Sequence, residues 1–212
     1  MLIKCYDYIN KIRSNYIHRA LHLFNKTARE VCEGQQLDMD FEQREEVTMS
    51  EYLKMITLKT SVALAASLKV GAMLGGAGER NQNLLYESGK KLGIAFQVQD
   101  DYLDAFGDPT KFGKRTGGDI VANKKTFLLV HAMETASVAA KAELKKQLNG
   151  NASDKVEKVL QIFRDCKADK WSVELKNKYM DEAYTHLEDI AVLSKRKEPL
   201  KELMQFLVKR EY

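Results

Sequence analysis

The chain has little of what interrupts or cross-links a fold. Its 212 residues contain two prolines and three cysteines. With only Pro109 and Pro199 to block backbone hydrogen bonding, long helices are permitted. Cys5, Cys32 and Cys166 are odd in number, widely spaced and without a CxxC pair. That argues against a disulfide framework and a zinc site, and suits a reducing cytoplasm. A period-two alternation of Val, Ile, Thr and aromatics is also missing, which argues against sheet.

Charge of one sign is scarce in its excess. The 34 basic and 30 acidic residues leave a net +4, and no basic stripe interleaved with aromatics is present, so nucleic acid is not expected as a partner. No stretch approaches the about 20 apolar residues of a membrane span. The longest apolar run, residues 62–66, is soon followed by Lys69. Met1-Leu2-Ile3-Lys4 has no charged segment leading into an apolar core, so no signal peptide is expected. The expectation is a cytoplasmic protein without a membrane span.

What is present is Leu, Ala, Lys and Glu at three- and four-residue spacing, the pattern of helix. The fold class expected is all-α, as one domain over residues 1–212. Ile9, Ile12, Tyr16, Ala20, Leu23 and Val31 fit one or two helices, and the acidic stretch 40–46 reads as a solvated loop. Thr48 with Glu51 makes a capping box, placing a helix start near Ser50 that leads through Lys59-Thr60 into Ala63, Ala65 and Ala66. Gly75, Gly76 and Gly78 mark a junction, and a long helix is expected over about 81–106. A Gly- and Lys-rich loop follows to Asp119, helix resumes near Lys125 and ends at Asn149-Gly150-Asn151, and about three shorter helices fill the rest. Pro199 starts or interrupts one of these, and Lys209-Arg210 reads as a solvated end.

The strongest chemistry lies in Phe96-Gln97-Val98-Gln99-Asp100-Asp101-Tyr102-Leu103-Asp104. On a helix Asp100 and Asp104 share one face, Gln97 sits a turn earlier, and Asp101 lies on the next row. Like charges at this spacing cost an isolated helix about 0.2–0.5 kcal/mol per pair. A hard cation reverses that sign, because carboxylate oxygens are the ligands magnesium prefers, with water and phosphate completing its octahedron. These acids also follow Leu92-Gly93-Ile94-Ala95-Phe96 with no charged residue between, and acids on an apolar helix need a partner. Soon after come Lys111, Lys114 and Arg115 among Gly113, Gly117 and Gly118, then Asp119 and Lys124-Lys125-Thr126. Glycines allow close approach to a phosphate and lysines supply charge to its oxygens. A metal diphosphate satisfies both halves.

This stretch resembles the second aspartate-rich region of the trans-polyprenyl diphosphate synthases of the farnesyl and geranylgeranyl type. Gly34-Gln35-Gln36-Leu37-Asp38 is similar to that family's GQxxD, and Tyr52 with Lys59-Thr60 to its Lys-Thr helix. The resemblance runs from about Tyr6 to Thr126. It implies an isoprenoid-synthase-like helical bundle and a Mg²⁺-dependent transferase condensing isopentenyl diphosphate with an allylic prenyl diphosphate. By position it assigns Asp100, Asp101 and Asp104 to magnesium, and Lys59, Lys114 and Lys124 to the allylic diphosphate. Thr60 and Gln97 would line the reacting carbon. Gln35 and Asp38 would lie near Lys59 and the metal, and Phe96 would wall the cavity. It also implies a homodimer.

The family's first acid cluster and its isopentenyl-diphosphate contacts are not found, so the resemblance is to the C-terminal two-thirds, a bundle incomplete at its N-terminus. The chain alone is therefore expected to be weak or inactive. A non-catalytic partner of a complete synthase is the alternative. A terpene cyclase is disfavoured by Lys59-Thr60 and by the 114–124 lysines.

Overall fold

The computed structural model describes residues 2–108, 116–150 and 152–208. Pro109, Lys111, Gly113, Lys114, Arg115 and Lys209-Arg210 lie outside them. Among the described residues all regular structure is helical, as the sequence pattern predicts. In chain order it comprises α1 (Leu2–Ile9), α2 (Ser14–Glu42), α3 (Met49–Ile56), a π turn (Thr57–Ser61), α4 (Val62–Leu74), α5 (Glu79–Phe106) and α6 (Gly118–Val121). Then follow α7 (Phe127–Thr135), α8 (Val138–Asn149), α9 (Lys155–Asp165), α10 (Ala168–Glu188), a 3-10 turn (Ser194–Arg196) and α11 (Glu198–Val208).

Helix α5 is the axis. It packs on α4 and the π turn along one flank and on α10 along the other, while α2 covers the π turn and α4. Three buried clusters line it. Ala105 joins Leu128, Leu144, Val159 and Phe163. Ile94 and Val98 join Phe41, Tyr52, Met55 and Phe127. Leu92 and Ala95 join Met180, Leu187 and Met204. Each large apolar side chain so buried contributes about 1.5–3 kcal/mol, which holds the helices where propensity alone would not.

Several boundaries follow local chemistry. Thr48 Oγ1 accepts from the Glu51 amide at 3.3 Å and Glu51 Oε2 accepts from the Thr48 amide at 2.9 Å, so the capping box starts α3 at Met49. Pro199 sits in the first turn of α11, where a missing N–H costs nothing. Other boundaries depart from the sequence pattern. Helix α2 continues into the acidic stretch as far as Glu42, because Phe41 is buried at 2% exposure beside Tyr52 and Met55. The segment after Lys125 is two helices, since Ala136 is extended and Ser137 caps α8 by accepting from the Ala140 amide.

The run Met49–Leu74 is long and apolar enough, at 26 residues, to cross a membrane by length and composition. A search for uninterrupted apolar residues missed it because Lys54, Lys59 and Lys69 break the run. In the fold its apolar stripe packs against α2 and α5, carrying Tyr52, Met55, Ile56, Val62, Ala65 and Ala66 into the core.

The π turn is clamped between two glycines. A Cβ on Gly34 of α2 would fall on the Lys59 backbone nitrogen and 2.7 Å from the Leu58 carbonyl carbon. A Cβ on Gly93 of α5 would stand 2.5 Å from Ser61 Cα. Both helices therefore touch the turn backbone to backbone. We expect Gly34→Ala to cost about 1–3 kcal/mol in chemical denaturation, because the obstacle is main chain and cannot rotate away. Gly71→Ala, which meets nothing within 4 Å on α4, should instead be neutral or gain about 0.5–1 kcal/mol.

Candidate active site

The three sequence motifs meet where α2, the π turn and α5 touch. Had α3 continued as regular helix, its buried stripe of 52, 55 and 56 would next fall on 59, 62 and 63. The wide turn shifts it to Ser61, Val62, Ala65 and Ala66. Lys59 and Thr60 are left half-buried at the bulge, an irregularity that recurs at functional sites. Contact at Gly34 then sets Asp38, one turn further along α2, against Lys59. The Lys59 ammonium donates to Asp38 Oδ2 at 2.5 Å.

On α5, successive residues point about 100° apart. Asp100 is exposed, whereas Asp101 is buried at 2% exposure. Asp101 Oδ2 accepts from the Tyr52 hydroxyl at 2.8 Å and the Phe127 amide at 3.0 Å, and its Oδ1 accepts from Gln97 Nε2 at 2.8 Å. Burial pushes the Asp101 carboxyl up to about 6, against the downward pull of the Phe127, Gln97 and Tyr52 donors. Tyr52 packs edge-to-face on Phe127 with centroids 4.6 Å apart, and its phenol is pushed far up by burial and by Asp101.

Asp104 organises the segment that follows. Its carboxylate accepts from the Asp119 amide at 2.9 Å, and its carbonyl accepts from the Gly117 amide at 2.6 Å. Burial raises its carboxyl, opposed by the Asp119 amide. The Asp119 side chain then accepts from Lys124 at 3.2 Å. Burial by itself would lower the Lys124 pKa, yet Asp119, Asp101 and Asp38 raise it overall. Carboxylates from three elements, α2, α5 and α6, thus act on one ammonium, with Asp119 in direct contact. Just beyond, Thr126 caps α7 by accepting from the Leu129 amide.

The structure therefore brings together Lys59 with Asp38, Gln97 with Asp101, and Asp104 with Lys124 through Asp119. Thr60 lies beside Lys59, and Phe96 is half-buried on α5 next to Gln97. Gln35 is exposed on α2, and among the described residues no side-chain hydrogen bond ties it to this group. Lys114 lies outside the described residues. Asp101 departs from the expectation that three aspartates face one metal. Helical geometry turns it inward, and three donors occupy its oxygens. Among the described residues no group of three or more His, Cys, Asp or Glu is assembled for a metal ion. Asp100 and Asp104, one turn apart, still suit magnesium, which uses one or two carboxylates and takes further oxygens from phosphate and water.

Sequence reasoning missed the parts played by Asp119, the Phe127 amide and the Tyr52 hydroxyl. Asp119 carried a signal, as an acid beside Gly117-Gly118 and five residues before Lys124. Tyr52 stood in the Lys-Thr motif, but neither its hydroxyl's partner nor the Phe127 amide's role carried a local signal, since they depend on contacts across 49 and 26 residues.

Comparison with known proteins identifies the family and the fold. The polyprenyl synthetase family profile matches residues 1–166. The chain is 39% identical over 165 residues to a short chain isoprenyl diphosphate synthase of Methanocaldococcus jannaschii, covering 77% of this chain and 50% of that one. It is 33% identical over 212 residues to a geranylgeranyl diphosphate synthase of Methanosarcina mazei, covering 99% and 64%. A crystal structure of a geranylgeranyl pyrophosphate synthase superposes with a TM-score of 0.92 at 37% identity, covering all of this chain and 66% of that one. The chain thus spans between 50% and 66% of the length of these relatives.

Tyr52→Phe removes one donor from a buried carboxylate while keeping the ring. We expect a loss of about 1–3 kcal/mol in unfolding free energy, read from denaturant midpoints. An unchanged midpoint would mean that the Tyr52–Asp101 bond holds nothing.

Proposed function

Because the chain belongs to the polyprenyl synthetase family, we propose that it serves prenyl chain elongation, as one helical domain over residues 1–212. An allylic prenyl diphosphate would be joined to isopentenyl diphosphate. The C–O bond to pyrophosphate breaks with its electron pair leaving on oxygen. The isopentenyl double bond then attacks the allylic carbon, and the adduct loses a proton. The observation that carries this reading is the half-buried set Asp38–Lys59 and Asp119–Lys124 beside Asp100 and Asp104.

Lys59, Lys124 and Lys114 would bind the departing pyrophosphate, with Asp38 and Asp119 holding the first two in place before substrate arrives. Charges fixed in advance stabilise a transition state without reorganising when the reaction occurs. Thr60 and Gln97 would turn oxygen towards the carbon that becomes positive, and Phe96 would close the pocket over the isopentenyl group. Gln35 would complete the diphosphate contacts. Asp100 and Asp104 would hold Mg²⁺, which when bound supplies positive charge to the leaving oxygens. Asp101 is left out of the metal set because its oxygens are already taken.

The reading includes a homodimer and a cytoplasmic setting. The first follows from the family resemblance.

The direct test incubates protein expressed from the full coding sequence with Mg²⁺, isopentenyl diphosphate and an allylic diphosphate. A prenyl diphosphate one or more isoprene units longer is the expected product, and none from any allylic substrate would sink the proposal. Asp100→Asn should lower kcat on the order of 10²-fold. Its melting temperature should fall by at most a few degrees, because the side chain is exposed and interactions of exposed charges contribute about 0–1 kcal/mol. Lys124→Ala should weaken the Mg²⁺-dependent binding of an allylic diphosphate analogue, measured by calorimetry. Equal binding by wild type and variant would remove Lys124 from the site.

A further inference from the structure

Asp101 is a buried carboxylate that the proposed reaction does not use. It spends one oxygen on Gln97 and the other on Tyr52 and Phe127. A side-chain amide has a donating and an accepting end, and a flip of the terminal group exchanges them at almost no steric cost. An ionised carboxylate only accepts. It therefore selects one of the two arrangements, with the amide nitrogen against Asp101 and the carbonyl oxygen turned away. Among the described residues, the bond to Asp101 is the one hydrogen bond that the Gln97 side chain makes. Tyr52 and the α7 amide fix the carboxylate in turn, so that it cannot swing to follow Gln97.

We propose that Asp101 is a positioning residue that sets which end of the Gln97 amide is presented to the substrate cleft. The consequence for prenyl transfer rests on the function proposed above. A carbonyl oxygen facing the allylic carbon favours the growing positive charge, whereas an NH₂ group there opposes it. Asp101 thus acts on the rate of ionisation through Gln97, without touching substrate or metal.

The substitution Asp101→Asn changes the selection. The introduced asparagine keeps an oxygen for the Tyr52 hydroxyl and the Phe127 amide and sets an NH₂ against Gln97, which then flips. The experiment uses protein expressed from the full coding sequence. It follows the Gln97 side-chain NH₂ by proton–nitrogen correlation NMR, together with melting temperature, kcat and the KM for the allylic diphosphate. In Asp101→Asn the Gln97 resonance should leave its carboxylate-bonded position. The kcat should fall on the order of 10²-fold with KM unchanged.

Tyr52→Phe should melt earlier yet lose much less kcat than Asp101→Asn, because the carboxylate still accepts from Gln97 and the Phe127 amide still holds it. Adding Gln97→Glu to Asp101→Asn should recover kcat, since the introduced glutamate accepts from the introduced asparagine and presents its second oxygen to the cleft. Gln97→Glu alone sets two carboxylates face to face and should lower kcat.

The proposal is overturned if the Gln97 resonance does not move in Asp101→Asn. It is also overturned if kcat in Asp101→Asn and Tyr52→Phe falls only in step with melting temperature, or if the double variant recovers stability without kcat. Absence of turnover in the wild type would sink the preceding functional reading instead. The NMR comparison would still decide the orientation of the amide.

Discussion

A carboxylate shut away from water needs donors, and the way Asp101 finds them governs the arrangement around the acid turn. Taking such a charge out of water costs several kcal/mol, and hydrogen bonds to a charged group return roughly 1.5–3 kcal/mol each. Three donors are therefore needed rather than one. They come from α3 through Tyr52, from α5 through Gln97 and from the first residue of α7 through the Phe127 amide. The helix N-terminus adds its own favourable potential. Satisfying one charge in this way locks three elements together, and it fixes the start of α7 one residue after Lys124-Lys125.

The same corner depends on backbone contact. Gly34 and Gly93 let α2 and α5 close on the π turn from two sides, a separation that any side chain would widen. The turn in turn frees Lys59 and Thr60 from the buried stripe. Around it acids and lysines alternate across element boundaries, Asp38 with Lys59 and Asp119 with Lys124. Each pair holds an ammonium half-buried and oriented, as the proposed diphosphate site requires.

Much of this was legible beforehand. The capping box at Thr48, the long helix carrying the acids and the all-helical class follow from local spacing, and local spacing survives folding. The three motifs could be found because each is contiguous. The errors share a different cause. Helix α2 passes the expected loop at 40–46 because Phe41 is drawn into a cluster with Tyr52 and Met55, a distant event. Helix spacing already set Asp101 one row off the face of Asp100 and Asp104, and its metal role came from the resemblance alone; the donors that occupy its oxygens come from distant residues.

Sequence alone determined the residue types: carboxylates, lysines and glycines in numbers and order suited to a metal-bound diphosphate, on helices whose period is written in the apolar pattern. Only the tertiary structure decided which aspartate faces solvent and which is consumed inside. A helix sets the angle between neighbouring side chains, but the burial that gives each direction its meaning comes from partners far along the chain. Tyr52 and Phe127, which turn Asp101 from a ligand candidate into a structural anchor, are brought to it by packing, and no local pattern encodes that.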